Sequence, residues 1–162
     1  MINQLEEITL NDYMTGVLNR NGIEKKYNRF IKSKSSFYVI FCDLDGTKKI
    51  NDNFGHLIGD KYINRTTEIM TDIIGLKGHV ARIGGDEFVI LLEYIDSQEL
   101  QLILLKIRQA VYAILPGKNT GISFGYSLFP NDGVTFEELI EIADKKMYVN
   151  KQSKKISTFK FL

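Results

Sequence analysis

Two groups of acids stand out by their position. Asp43 and Asp45 close an apolar run, Phe37-Tyr38-Val39-Ile40-Phe41-Cys42, and Asp86-Glu87 follow directly on Gly84-Gly85. Carboxylates gathered where strands meet their loops repel one another unless a positive charge neutralises them. Hard oxygen ligands of this kind, in a chain with one Cys and two His, suit Mg²⁺ or Mn²⁺ and not zinc. Mg²⁺ commonly takes one or two carboxylates and completes its shell with substrate phosphates, so a metal–nucleotide site follows. The same acids also fit ordinary turns facing water, where Asp and Glu are common. Spacing alone leaves both readings open.

Holding such acids in place takes a sheet. The run from Phe37 to Cys42 is a strand covered on both faces. His79–Ile83 and Phe88–Leu92 flank Gly84-Gly85 and predict a tight hairpin, the two glycines supplying the positive φ of a two-residue turn. Ile122, Phe124, Tyr126 and Leu128 alternate with Ser123, Gly125 and Ser127, the pattern of a half-buried strand. Asn21-Gly22-Ile23-Glu24 has the form of a capping box opening a helix that carries Ile23, Tyr27, Phe30 and Ile31. Further helices are predicted from about Asp60 to Ile74, stopped by Gly75 and Gly78, and from Ser97 to Ile114, stopped by Pro116-Gly117. Thr135-Phe136-Glu137-Glu138 caps the next, with Leu139, Ile142, Ala143 and Met147 on one face. Ile156–Leu162 could add an edge strand. Helices alternating with strands around a central hairpin favour an α/β (α+β) fold with a mixed central sheet and flanking helices. Residues 1–11 read as an N-terminal extension and 12–162 as one domain.

The bulk numbers agree with one globular domain. At 162 residues, 44% apolar and 25% charged, the chain has the means to bury a core and is neither disordered nor fibrous. Lys and Arg total 21 against 20 acids, a net charge of +1, so nothing demands nucleic acid or an anionic membrane as a partner. The single Cys42 excludes an internal disulfide and reads as a buried structural thiol. No signal peptide or apolar span is present, and the expected location is the cytoplasm.

Gly84-Gly85-Asp86-Glu87-Phe88 is an unaltered GGDEF signature, preceded by Ala81-Arg82-Ile83, and resembles the diguanylate cyclase family. Asp12-Tyr13-Met14-Thr15-Gly16-Val17-Leu18-Asn19-Arg20 resembles that family's opening motif, Asp-x-Leu-Thr-Gly-Leu-x-Asn-Arg. Asp43-Leu44-Asp45 through Lys48-Lys49-Ile50-Asn51-Asp52, then Gly55-His56-x-x-Gly59-Asp60, are similar to the next two blocks. Ser123-Phe124-Gly125, and Ala143-Asp144 through Tyr148 and Lys151, are similar to the last. The matches keep their order from about residue 12 to 155.

The resemblance implies an adenylyl-cyclase-like, polymerase-palm-like sheet and the condensation of two GTP into cyclic di-GMP with release of pyrophosphate. One GTP sits in each half of a homodimer. By the same resemblance Asp43, the Leu44 carbonyl and Asp86 ligate the metal, Mg²⁺ or Mn²⁺. Asp86 also assists deprotonation of the 3′-hydroxyl, and Glu87 supports the metal site. Asn51 and Asp60 recognise guanine; a carboxylate accepts from its N1–H and N2–H, a donor pair that adenine lacks. Lys48 and Lys151, with the backbone at Gly46 and Thr47, hold the triphosphate. Gly84 and Gly85 keep the turn open to the partner's nucleotide.

Three departures accompany the match. Thr47 replaces a frequent Phe, and Lys154-Lys155 stand where the family has Gly-Arg, so Lys155 keeps the charge without the planar fork. Gly75-Leu76-Lys77-Gly78 occupies the place of an Arg-x-x-Asp inhibitory site, which predicts absent or weak product inhibition there. A non-catalytic GTP-binding or interaction module on the same fold is the alternative, and retention of Asp43, Asp86 and Glu87 argues against it. A mixed cyclic GMP-AMP product is disfavoured by Asp60. Members usually carry an upstream sensory domain that promotes pairing; an excised output domain and a natural stand-alone one both remain open.

Overall fold

The computed structural model describes residues 9–160, with side chains through Ser153. Four strands, β1 (Phe37–Asp45), β2 (Gly78–Arg82), β3 (Glu87–Glu93) and β4 (Gly121–Phe129), form a sheet in the order β2-β3-β1-β4. Around it lie α1 (Arg20–Ser33), α2 (Thr47–Phe54), α3 (His56–Ile74), α4 (Ser97–Tyr112) and α5 (Phe136–Lys160). The α/β architecture with a central hairpin is as expected, and each of the three strand pairings is antiparallel. β1 and β2 run the same way, but β3 separates them, so no parallel pairing forms between them.

β1 is the spine of the molecule and is covered on both sides. Tyr38, Ile40, Cys42 and Leu44 pack with Ile50, Tyr62, Met70, Leu104 and Ile107 from α2, α3 and α4. Phe37, Val39 and Phe41 pack on the other face with Ile23, Tyr27 and Phe30 of α1 and with Phe136, Leu139, Ala143 and Met147 of α5. The period of two along β1 therefore sends Asp43 and Asp45 to the α5 face. Cys42 is fully buried, and burial pushes its thiol far above the ordinary value, in keeping with a structural role.

Several local expectations are corrected. β1 runs on through Asp45, so Asp43 lies within the strand, opposite Glu87 on one side and Ser123 on the other. The turn between β2 and β3 spans residues 83–86, and neither Gly84 nor Gly85 has a positive φ. Arg82 explains this: its Nε and Nη2 donate to the Gly85 carbonyl at 3.2 and 2.9 Å, closing a wider turn with a side chain. Helix α1 is capped by Asn19, whose side chain accepts from Gly22 N, and not by Asn21. Asp96 caps α4 ahead of Ser97, and that helix ends at Tyr112. α3 starts at His56 and not near Asp60, and α2 leaves no pattern in the sequence, because Thr47 and Ile50 alone of its eight residues are buried and set no period.

Two further differences concern the last third of the chain. The Ser123, Gly125 and Ser127 side of β4 is buried beneath α5, where a solvent face was expected. Helix α5 continues through Lys160 in place of an edge strand; no Gly or Pro follows Gly133 to stop it. Residues 161–162 lie outside the described residues. Thr135 does cap α5, its Oγ1 accepting from Glu138 N at 3.2 Å.

Candidate active site

The site forms where β1, the 83–86 turn and α5 meet. Small residues on β4 make that meeting close. A Cβ at Gly125 would overlap the backbone of Ala143 and Met147, and Ser127 Oγ donates to the Leu139 carbonyl at 2.8 Å. Helix α5 consequently lies flush on β4 and carries Lys151 over the end of β1. Lys151 Nζ donates to Asp43 Oδ2 at 2.7 Å and stands 3.2 Å from Asp45 Oδ1. Buried Ser123 Oγ donates to Asp45, 3.2 and 3.1 Å from its two oxygens.

Asp86 is fixed from its backbone, since Leu44 N donates to its carbonyl at 2.9 Å. Thr47 Oγ1 lies 3.5 Å from Asp86 Oδ2. Gly46 adopts the left-handed conformation (φ 78°) ahead of α2, and a Cβ there would come within 2.7 Å of the Asn119 carbonyl, so the strand-to-helix turn needs glycine on two counts. Burial raises the Asp43 carboxyl above its ordinary value; Lys151 opposes this, and Asp86 and Asp45 add to it. Glu87 is exposed, and its carboxyl is raised by what partial burial it has and by Asp43, Asp86 and Asp144. Burial disfavours charge on Lys151 but is outweighed by its bond to Asp43 and the pull of Asp45, leaving its pKa raised. At neutral pH the ammonium stays charged between its acids.

Across the α2–α3 junction the Asn51 amide lies against Gly59, the residue before Asp60, where a Cβ would overlap it. Asp60 and Lys48 are exposed, with no ion pair to other described residues. Lys155 lies on α5, and its side chain is outside the described residues.

The donor set fits a magnesium-like ion. Asp43 Oδ1 is buried with no hydrogen-bond partner, and the carboxyls of Asp86, Asp45 and Glu87 lie within electrostatic reach of this side chain. Among the described residues no group of three or more His, Cys, Asp or Glu side chains is placed to hold a metal ion by itself.

Arg82 reads from sequence as a contact to nucleotide or partner or, at least as well, as a structural salt bridge, and the structure shows the salt bridge. Arg82 Nη1 contacts Asp12 Oδ2 at 3.3 Å, and Thr15 N and Oγ1 donate to the same oxygen at 2.9 and 2.6 Å. Arg82 N also donates to the Leu18 carbonyl. The 12–18 turn and the signature turn are thus tied by one arginine.

The profile described as "Diguanylate cyclase, GGDEF domain" matches residues 9–157. The chain belongs to the GGDEF-domain diguanylate cyclase family. A probable diguanylate cyclase of Escherichia coli, DgcJ, is 33% identical over 150 residues, 90% of this chain and 30% of the relative. The bifunctional diguanylate cyclase/cyclic di-GMP phosphodiesterase MucR of Pseudomonas aeruginosa is 34% identical over 153 residues, 90% of this chain and 22% of the relative. The chain therefore spans less than a third of these two relatives. A crystal structure of a sensory box/GGDEF family protein from Caulobacter crescentus superposes with a TM-score of 0.75 at 32% identity, covering 89% of this chain and 99% of that one. In this GGDEF domain, no helix among the described residues is long and apolar enough to cross a membrane.

Proposed function

We propose that the protein is an active diguanylate cyclase that condenses two GTP into cyclic di-GMP across a homodimer. The observation that carries this reading is partly buried Asp43, with one oxygen on Lys151 and the other, buried, unpartnered, beside Asp86 and Glu87. A structural carboxylate is normally satisfied on both oxygens; one left wanting among other acids suits a cation.

Asp43, Asp86 and the Leu44 carbonyl would hold Mg²⁺ or Mn²⁺, which lowers the pKa of a bound hydroxyl and offsets charge on phosphoryl oxygens. Asp60 accepts from guanine N1–H and N2–H, and the Asn51 amide bonds to the same base. Lys48, Lys151 and Lys155, with backbone amides at Gly46 and Thr47, hold the triphosphate. Asp86 takes the proton of the 3′-hydroxyl, and Glu87 keeps the charge of that region negative. Each 3′-oxygen bonds to the α-phosphorus of the nucleotide on the facing protomer, and the bond from that phosphorus to the bridging oxygen breaks with loss of pyrophosphate. Two protomers must meet, with the signature turns facing. Residues 75–78 are Gly-Leu-Lys-Gly and offer no Arg-x-x-Asp pair, which supports weak or absent product inhibition there.

Purified protein with GTP and Mg²⁺ is expected to yield cyclic di-GMP by mass, at a rate second order in protein while dimers are scarce. Binding of GTP without product at any protein concentration would instead leave a non-catalytic module.

A further inference from the structure

Lys151 does more than wait for phosphate. Its ammonium lies between two carboxylates that are held differently. Asp45 is anchored from behind by buried Ser123, 3.1–3.2 Å from both its oxygens. Asp43 has Lys151 on Oδ2 at 2.7 Å and nothing on buried Oδ1. All three charged side chains are roughly three-quarters buried or more, at 26%, 18% and 25% exposure for Lys151, Asp43 and Asp45. Asp86 and Glu87 add negative charge alongside, and Lys151 is the one described cation paired with this group.

We propose that Lys151 is a resident counter-cation, tethered by Asp45, that neutralises Asp43 until a divalent ion arrives with a triphosphate and then turns from Asp43 to the phosphates. This rests on the metal–nucleotide reading of the site given above. A divalent ion entering alone meets a fixed ammonium on the carboxylate it needs, and like charges a few ångströms apart in a partly buried site repel strongly. A triphosphate removes that repulsion and offers Lys151 new acceptors, so metal and nucleotide load together. Helix α5 is locked on β4 by the close approach at Gly125, which confines the movement to the flexible lysine stem. Asp45 is the positioning residue: it keeps the ammonium within reach while Asp43 is given up.

The test is Mn²⁺ titration followed by the electron paramagnetic resonance signal of the free ion, with and without the non-cyclising analogue α,β-methylene-GTP. Wild type is expected to bind Mn²⁺ weakly alone and tightly with the analogue. Lys151→Met, checked for folding by circular dichroism, is expected to bind Mn²⁺ alone about tenfold more tightly than wild type and to lose most of the gain from the analogue. Lys151→Arg keeps the charge and is expected to stay close to wild type without nucleotide. Asp45→Asn, which removes the tether, is expected to shrink the gain from the analogue, and it carries the comparison with Lys151→Gln if the Met variant does not fold. Equal affinity of wild type and a folded neutral variant for Mn²⁺ alone overturns the exchange. Failure of every protein to bind Mn²⁺ even with the analogue overturns the metal–nucleotide reading itself.

Discussion

Two ion pairs of similar burial meet opposite fates in this molecule. Asp12 and Arg82 are 20% and 15% exposed, Asp43 and Lys151 18% and 26%. Burial alone would raise both carboxyls. For Asp12 it is outweighed by the two Thr15 bonds and by Arg82, and the pKa falls below its ordinary 3.8. For Asp43 one lysine faces burial and the repulsion of Asp86 and Asp45, and the pKa rises. The donors aimed at each carboxylate and the acids beside it decide the outcome together. The first pair is a closed joint that ties two turns; the second keeps an unmet demand for positive charge, which a ligand site requires.

The comparison breaks most visibly in activity. Asp86→Ala is expected to lower cyclic di-GMP formation by about three orders of magnitude, with a melting temperature near wild type, because it removes a repelling acid and no structural joint. Product at the wild-type rate would reject its role. The open pair also depends on α5 lying flush on β4. Gly125→Ala forces a methyl into the Ala143 and Met147 backbone, and urea unfolding is expected to show a loss of about 3 kcal/mol; an unchanged midpoint would show that the helix–strand approach is not tight.

The closed pair is expected to matter for stability first. Asp12→Ala leaves Arg82 without its acid and is expected to cost about 2 kcal/mol. Because the folded pKa of Asp12 is depressed, its contribution is complete above the ordinary value of 3.8 and vanishes as pH falls through the lower folded value. The difference between wild type and Asp12→Asn is therefore expected to be flat from pH 5 to 7 and to close in stronger acid; a constant difference at all pH would contradict the assignment. The smallest effect has the opposite sign. Glu87 is raised above 4.5, so its ionisation costs stability as pH rises through the raised value. Glu87→Gln is expected to stabilise by about 0.3 kcal/mol at pH 8, after allowance for solvent screening, and by nothing at pH 4, as read by thermal melts.

Much of the frame was legible because it is local. The two-sided burial of β1 follows from a run without polar residues, and the Thr135 cap from a four-residue pattern. α2 is not legible because it borrows its stability from Ile50 in the shared core and has no stripe of its own. The Ser123-x-Gly125-x-Ser127 alternation read as a wet face because small polar residues serve equally well facing water or beneath a close-packed helix, and periodicity does not tell these apart.

The amino-acid order determined the family motifs, the two-faced central strand and the chemical kind of the site, since each of these resides in residue types within a few positions of one another. It did not determine which acid meets which base. Lys151 and Asp43 are 108 positions apart, and Arg82 and Asp12 are 70; their pairing depends on how closely α5 and the 12–18 turn approach the sheet. That approach is set by side-chain volume at Gly125 and by donors at Thr15, and so the choice between a saturated carboxylate and a hungry one was made only when the chain had folded.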